Sequence, residues 1–237
     1  MVQFRAGSTG GRALVAAALV TVLGGCGHSA GGDGKKPAGA SPTATATAQS
    51  TGVEDTAAAS GGTLGAAGSA CRLPVTFDVA AGWKAEAIDA GAGLSKASKG
   101  SDGGANGDLA EALLHQGPVT ASCEVDAKPA GNIGFLRVWT GKTGKADAGS
   151  VLREFVAAED NVTQAKYHSF KTGGGLSAVE VTYLYKSKLL DETKKECAFA
   201  VTTPNGPVVL HLGGMDTEEH DAMLPAYELA KQTLKVS

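Results

Sequence analysis

The chain has 237 residues, 43% of them hydrophobic and 5% aromatic, with 21 Lys and Arg against 24 Asp and Glu for a net charge of −3. That length suffices for one domain with a sizeable core, and the lack of a basic excess argues against a nucleic-acid partner. No window approaches 18 uncharged apolar residues, so no segment reads as a membrane-spanning helix.

At the N-terminus, Arg5 and Arg12 precede an uncharged run, Ala13 to Leu23, which ends in Gly24-Gly25-Cys26. A charged start, an apolar stretch and a small-residue cleavage site make an export signal over residues 1–25. The run rises only about 16 Å as a helix, against the roughly 30 Å of a bilayer core. Leu23-Gly24-Gly25-Cys26 resembles a bacterial lipobox. The resemblance implies diacylglycerol on the Cys26 thiol, cleavage in front of it and a palmitate-type anchor. The protein is then expected at the cell membrane, lipid-anchored on the extracytoplasmic face, with the bilayer as a partner. Two acyl chains make such an anchor stable.

From Gly27 to Ser69, 32 of 43 residues are Gly, Ala, Ser or Thr, and none is aromatic. Such a stretch cannot bury enough apolar surface to offset chain entropy. Residues 26–70 therefore read as the lipidated cysteine and a disordered tether, reaching roughly 35–40 Å by random-coil scaling. Residues 71–237 read as a single domain, with 17 Lys and Arg against 21 Asp and Glu. It offers no polybasic second anchor to anionic lipid.

Lipidation leaves Cys71, Cys123 and Cys197. In an exported protein one pair is expected to be oxidised. Cys71 with Cys123 is the expected pair; both alternatives involve Cys197. The spacing matches no metal motif.

In chain order, Val75 to Val79 alternates as a strand and ends at an Ala81-Gly82-Trp83 turn. Gly91 to Gly107 reads as a loop. Asp108 and Glu111 form a capping box for a helix running to about Gln116. Val119 to Lys128 is a strand with Val119, Ala121, Cys123 and Val125 on one face. Phe135 to Thr140 is another, with Phe135, Arg137 and Trp139 together. Ser150 is the expected cap of a helix to about Ala158. Strands follow over 162–171 and 176–186, then a hairpin over 196–212 turning at Pro204-Asn205-Gly206. Asp216 caps a last helix, which Pro225 should kink or divide. Mostly short turns between strands imply a largely antiparallel sheet covered by three helices, an α/β (α+β type) sandwich with an α/β/α layering.

Phe77-Asp78-Val79-Ala80-Ala81-Gly82-Trp83 resembles the opening strand and turn of Mog1/PsbP-like domains. Gly131 to Trp139 is similar to a stretch of actinobacterial lipoproteins of unassigned function. Ala81 stands where that pattern carries proline, and a loop and helix are inserted before Val119. The resemblance implies binding or assembly and carries no catalytic residue across.

The remaining chemistry signals are weak. Gly141-Lys142-Thr143 lacks the upstream glycine of a phosphate loop, since position 136 is Leu. His211 and His220, with Asp216, Glu218 and Glu219 nearby, are the densest metal-ligand types, but acidic residues in a helix's first turn suit its dipole. No Gly-x-Ser-x-Gly elbow occurs. Arg137, Trp139, Tyr183 and Tyr185 form a possible ligand face, although such aromatics more often pack under helices. The expectation is a non-catalytic binding or assembly module in the cell envelope, with no cofactor and with an envelope protein or small ligand as partner. The alternatives are a small-molecule or metal-binding carrier or sensor, and an envelope hydrolase.

Overall fold

The computed structural model describes residues 56–89, 114–188 and 191–237. Cys26, the segment before it and the Asp108–Glu111 capping box lie outside the described residues.

Period-two alternation builds most of the fold. The strands are β1 (Ser60–Leu64), β2 (Val75–Ala80), β3 (Lys84–Ala87), β4 (His115–Gln116), β5 (Val119–Asp126), β6 (Gly134–Gly141), β7 (Val162–Lys171), β8 (Ser177–Ser187), β9 (Glu192–Thr203), β10 (Gly206–Gly214) and β11 (Lys235–Val236). The helices are α1 (Ala148–Ala157) and α2 (Thr217–Thr233), with a short 3-10 turn at Lys128–Ala130. The main sheet runs β3-β5-β6-β10-β9-β8-β7, with β4 pairing β5, and a second sheet runs β1-β2-β11. All these strand pairings are antiparallel.

Side chains alternate between two cores. One packs Trp139, Val181, Ala198 and Val209 against Leu152, Phe155 and Val156 of α1. The other packs Val138, Phe199 and Leu210 against β2 and against Met223, Tyr227 and Ala230 of α2. Phe77, Phe199 and Tyr227 are fully buried there, each worth roughly 1.5–3 kcal/mol relative to an exposed side chain. The fold is α+β with a helix on each face. The expected three helices become two among the described residues, and α2 shares its layer with the β1-β2-β11 sheet.

Several boundaries differ from the sequence reading. Regular structure is present before Cys71: β1, in the stretch read as tether, pairs with β2 from Ser60↔Ala80 to Leu64↔Phe77. Its only buried side chain is Leu64, so backbone pairing and the Thr63 Oγ1 bond to Asp78 Oδ1 at 2.7 Å hold a segment that hydropathy cannot reveal. His115 and Gln116, expected at a helix end, form β4.

Asp147, not Ser150, caps α1: its Oδ1 accepts from the N–H groups of Gly149 at 2.9 Å and Ser150 at 3.1 Å. Asp216 caps α2 as expected, accepting from Glu219 N at 2.8 Å. Pro225 does not divide α2, and its carbonyl also accepts from Ala58 N at 2.8 Å. A bulge lies between Ala121 and Cys123. It leaves Val119 and Ala121 on the α1 face and turns Cys123 and Val125 to the α2 face, where the alternation alone would keep all four together.

Beyond β7, Gly173 and Gly174 donate to Lys231 O at 3.2 Å and Leu234 O at 3.0 Å. They satisfy carbonyls that the end of α2 leaves open. A Cβ on Gly173 would collide with the Gln232 carbonyl.

Candidate functional site

The residues read as a ligand face all come to the α1 side of the sheet. Trp139 and Tyr183 are buried in its core, and Tyr185 is half-buried against it. Trp139 meets Phe155 edge-on at 5.5 Å. Arg137 lies over the Phe135 ring at 4.2 Å and pairs with Glu124, to which Nε donates at 3.0 Å. The four share one face of the sheet but form no single site: β10 and β9 separate Arg137 and Trp139 on β6 from Tyr183 and Tyr185 on β8, and Trp139, Tyr183 and Tyr185 pack in the α1-side core.

Beside them lies a buried polar network. His211 Nε2 bonds Glu196 Oε2 at 2.7 Å, and Lys194 Nζ bonds Glu196 Oε1 at 2.8 Å. Tyr183 Oη donates to Glu159 at 2.8 Å and to Glu196 at 3.2 Å, and lies 3.2 Å from His211 Nε2. Burial opposes the Glu196 charge, but His211 and Lys194 outweigh it and hold its pKa at about 2. Burial and the Glu196 charge raise Glu159. These bonds tie β8, β9 and β10 together, and on the same face the Trp139 Nε1 is buried without a hydrogen-bond partner.

His211 and His220 do not converge. His211 faces α1 through Phe155 at 5.7 Å, whereas His220 lies on α2, on the other side of the sheet. Among the described residues, no group of three or more His, Cys, Asp or Glu could hold a metal ion.

The open site is on the α2 side. A cleft of about 460 Å³ lies between β7, β8, β9 and α2. Its floor carries Glu180, 4% exposed, at an inward position two residues from Ala178 of that core. Glu180 Oε2 is 2.6 Å from His168 Nε2 and 3.1 Å from Lys231 Nζ. Lys231 also bonds Glu228 at 2.7 Å. Burial alone would lower the Lys231 ammonium, but Glu228 and Glu180 outweigh it and raise its pKa. On the rim, Lys195 pairs with Asp221 at 2.8 Å.

Behind the floor, His220 Nδ1 is buried without a hydrogen-bond partner, while the buried Tyr227 hydroxyl lies against Cys197 and Glu180. Burial holds His220 down at about 4, so it is neutral at pH 7. Burial, Cys197 and Glu180 push the Tyr227 hydroxyl well up. The free thiol of Cys197 is buried in the same wall, and burial raises its pKa well above the ordinary thiol value. Buried polar atoms without partners are uncommon and costly in a folded protein.

Sequence reasoning missed this site. His168 and Glu180 meet only because β7 and β8 pair in that register, and Lys231 comes from a helix far along the chain.

A family described as "uncharacterised lipoprotein" matches residues 41–234. The chain belongs to that family. No curated protein matches it. The lipoprotein's described residues contain no helix long and apolar enough to cross a membrane, and the match begins within the Ala/Ser/Thr-rich stretch that follows Cys26.

Proposed function

We propose that this lipoprotein is acylated at Cys26, held on the outer face of the cell membrane, and acts there as a non-catalytic binding module whose ligand enters the α2 cleft. One observation carries the reading: the cleft is open and lined by the Glu180–Lys231 pair, with the unpartnered Nδ1 of His220 buried in its wall. A Glu–Lys pair in a partly desolvated cleft presents both an acceptor and a donor, which suits a small polar group or a polar side chain of an envelope protein. His168 and His211 end on the Glu180 and Glu196 carboxylates, which favours a binding role for these two over nucleophile activation.

A photo-crosslinking residue at position 195, on the rim, tests the binding reading on intact cells. The expected result is a discrete adduct, lost on Lys231→Glu. No adduct from position 195 or from exposed position 166 overturns it. Cys26→Ser should release the protein into the medium, and continued membrane retention overturns the anchor.

A further inference from the structure

We propose that the end of the domain carrying Ile133 and Met215 rests on the phospholipid bilayer to which the chain is tethered. These are the two most exposed large hydrophobic side chains among the described residues, at 52% and 50%. They come from different connections, β5–β6 and β10–α2, yet Met215 N donates to Ile133 O at 3.0 Å. Ile133 N in turn donates to Glu219 Oε2 at 3.0 Å. Two hydrogen bonds therefore fix the pair side by side, and half-buried Phe135 extends the apolar surface along the hollow beneath them.

The place where the chain enters the domain says what covers this patch. Strand directions follow from the pairings Ser60↔Ala80, Lys84↔Asp126, Asp126↔Phe135 and Gly213↔Phe135. They put the start of β1, the end of β2, the start of β6 and the end of β10 at one end of the domain. Ala81 N donates to Ala59 O at 2.8 Å, and a Cβ on Gly82 would lie 3.2 Å from that of Ala130, three residues before Ile133. The first described residues and the patch thus share one end. Twenty-nine residues lie between Cys26 and Thr56, a span of about 100 Å at full extension.

A domain held at that range meets the bilayer at high effective concentration, so a small apolar contact suffices without independent affinity. The neighbouring charges lean acidic, Glu124, Asp126, Asp216, Glu218 and Glu219 against Lys84 and Lys128, and give no basic attraction to anionic lipid. The contact therefore rests on apolar side chains and should persist at high salt.

Met215 is its own reporter, and buried Met223, 1% exposed, is the internal control. The inference rests on the Cys26 anchor, so the test separates the two. Mature protein purified from membranes is reconstituted into phosphatidylcholine/phosphatidylglycerol vesicles, floated, and treated with hydrogen peroxide. Sulfoxide at each methionine is followed by peptide mass spectrometry. Met215 should oxidise several-fold more slowly than in the soluble Cys26→Ser protein, and Ile133→Asp should restore the soluble rate on vesicles. Protein that does not float defeats the anchor. Protein that floats while Met215 oxidises at the soluble rate overturns bilayer docking. Protection on cells but not on vesicles also overturns it, and assigns the patch to a protein partner.

Discussion

Cys123 reaches Cys71 because the bulge after Ala121 turns it out of register with Val119 and into the α2-side core. Without that extra residue the thiol would point under α1, on the wrong side of the sheet. The disulfide closes a 52-residue separation and joins the segment before β2 to β5, beside the β3 edge of the main sheet. Loop-closure entropy for that span corresponds to about 4 kcal/mol. The Cys71→Ser/Cys123→Ser double variant should lose stability of that order in urea unfolding. A loss below 1 kcal/mol would show that the ladder β1-β2-β11 is held without the bridge.

The expected pairing of Cys71 with Cys123 is present, but not for a reason the alternation offered. Alternation over Phe135–Trp139 and Val208–Leu212, the Pro204-Asn205 turn and the Asp216 cap were legible because each is decided within a few residues. The bulge is decided by what Cys123 must reach, and β1 by the backbone edge it covers. The capping carboxylate of α1 sits three residues before Ser150, and both are good N-caps. Glu180, His168 and Lys231 are polar residues in ordinary positions until the fold assembles them. Their signal is a register, which periodicity does not carry.

Glu196 should make stability fall in acid. Its folded pKa of about 2 lies below the ordinary 4.5, so the unfolded chain takes up the proton first. The contribution is present in full above pH 4.5 and is lost as pH falls from 4.5 towards 2. The gap corresponds to about 3 kcal/mol at most. Glu159, raised by burial and by Glu196, acts in the opposite sense. Glu196→Gln should flatten the curve of urea midpoint against pH over that window. An unchanged slope would show that another carboxylate carries the acid sensitivity.

His220 should act in a higher window, which meets that of Glu196 only near pH 4 to 4.5. Burial holds it at about 4, below its ordinary 6.5, so unfolding lets it take up a proton below pH 6.5. Stability should decline as pH falls from 6.5 towards 4. The imidazole carbon shifts of the folded protein should titrate with a midpoint near 4. A midpoint near 6.5 would place the ring in contact with water and remove it from the cleft wall.

Gly173→Ala should destabilise α2 from outside the helix. The new Cβ would meet the Gln232 carbonyl, so the Gly173 and Gly174 donors must withdraw from Lys231 O and Leu234 O. Two lost hydrogen bonds predict about 1–3 kcal/mol. Hydrogen exchange should speed up at the end of α2 and in β11 while α1 is unchanged. Uniform acceleration across both helices would mean global destabilisation, without a local cap.

Cys197 should stay silent until the protein unfolds. It is buried and its thiol is pushed well above the ordinary value by burial and by Glu180, so the reactive thiolate is scarce and sheltered. The soluble Cys26→Ser protein should therefore show no reaction with an aromatic disulfide reagent when folded, and release one equivalent of thiol in urea. Three equivalents would contradict the Cys71–Cys123 bridge. Rapid reaction of the folded protein would mean that the Tyr227 wall opens, and ligand in the cleft should then slow it.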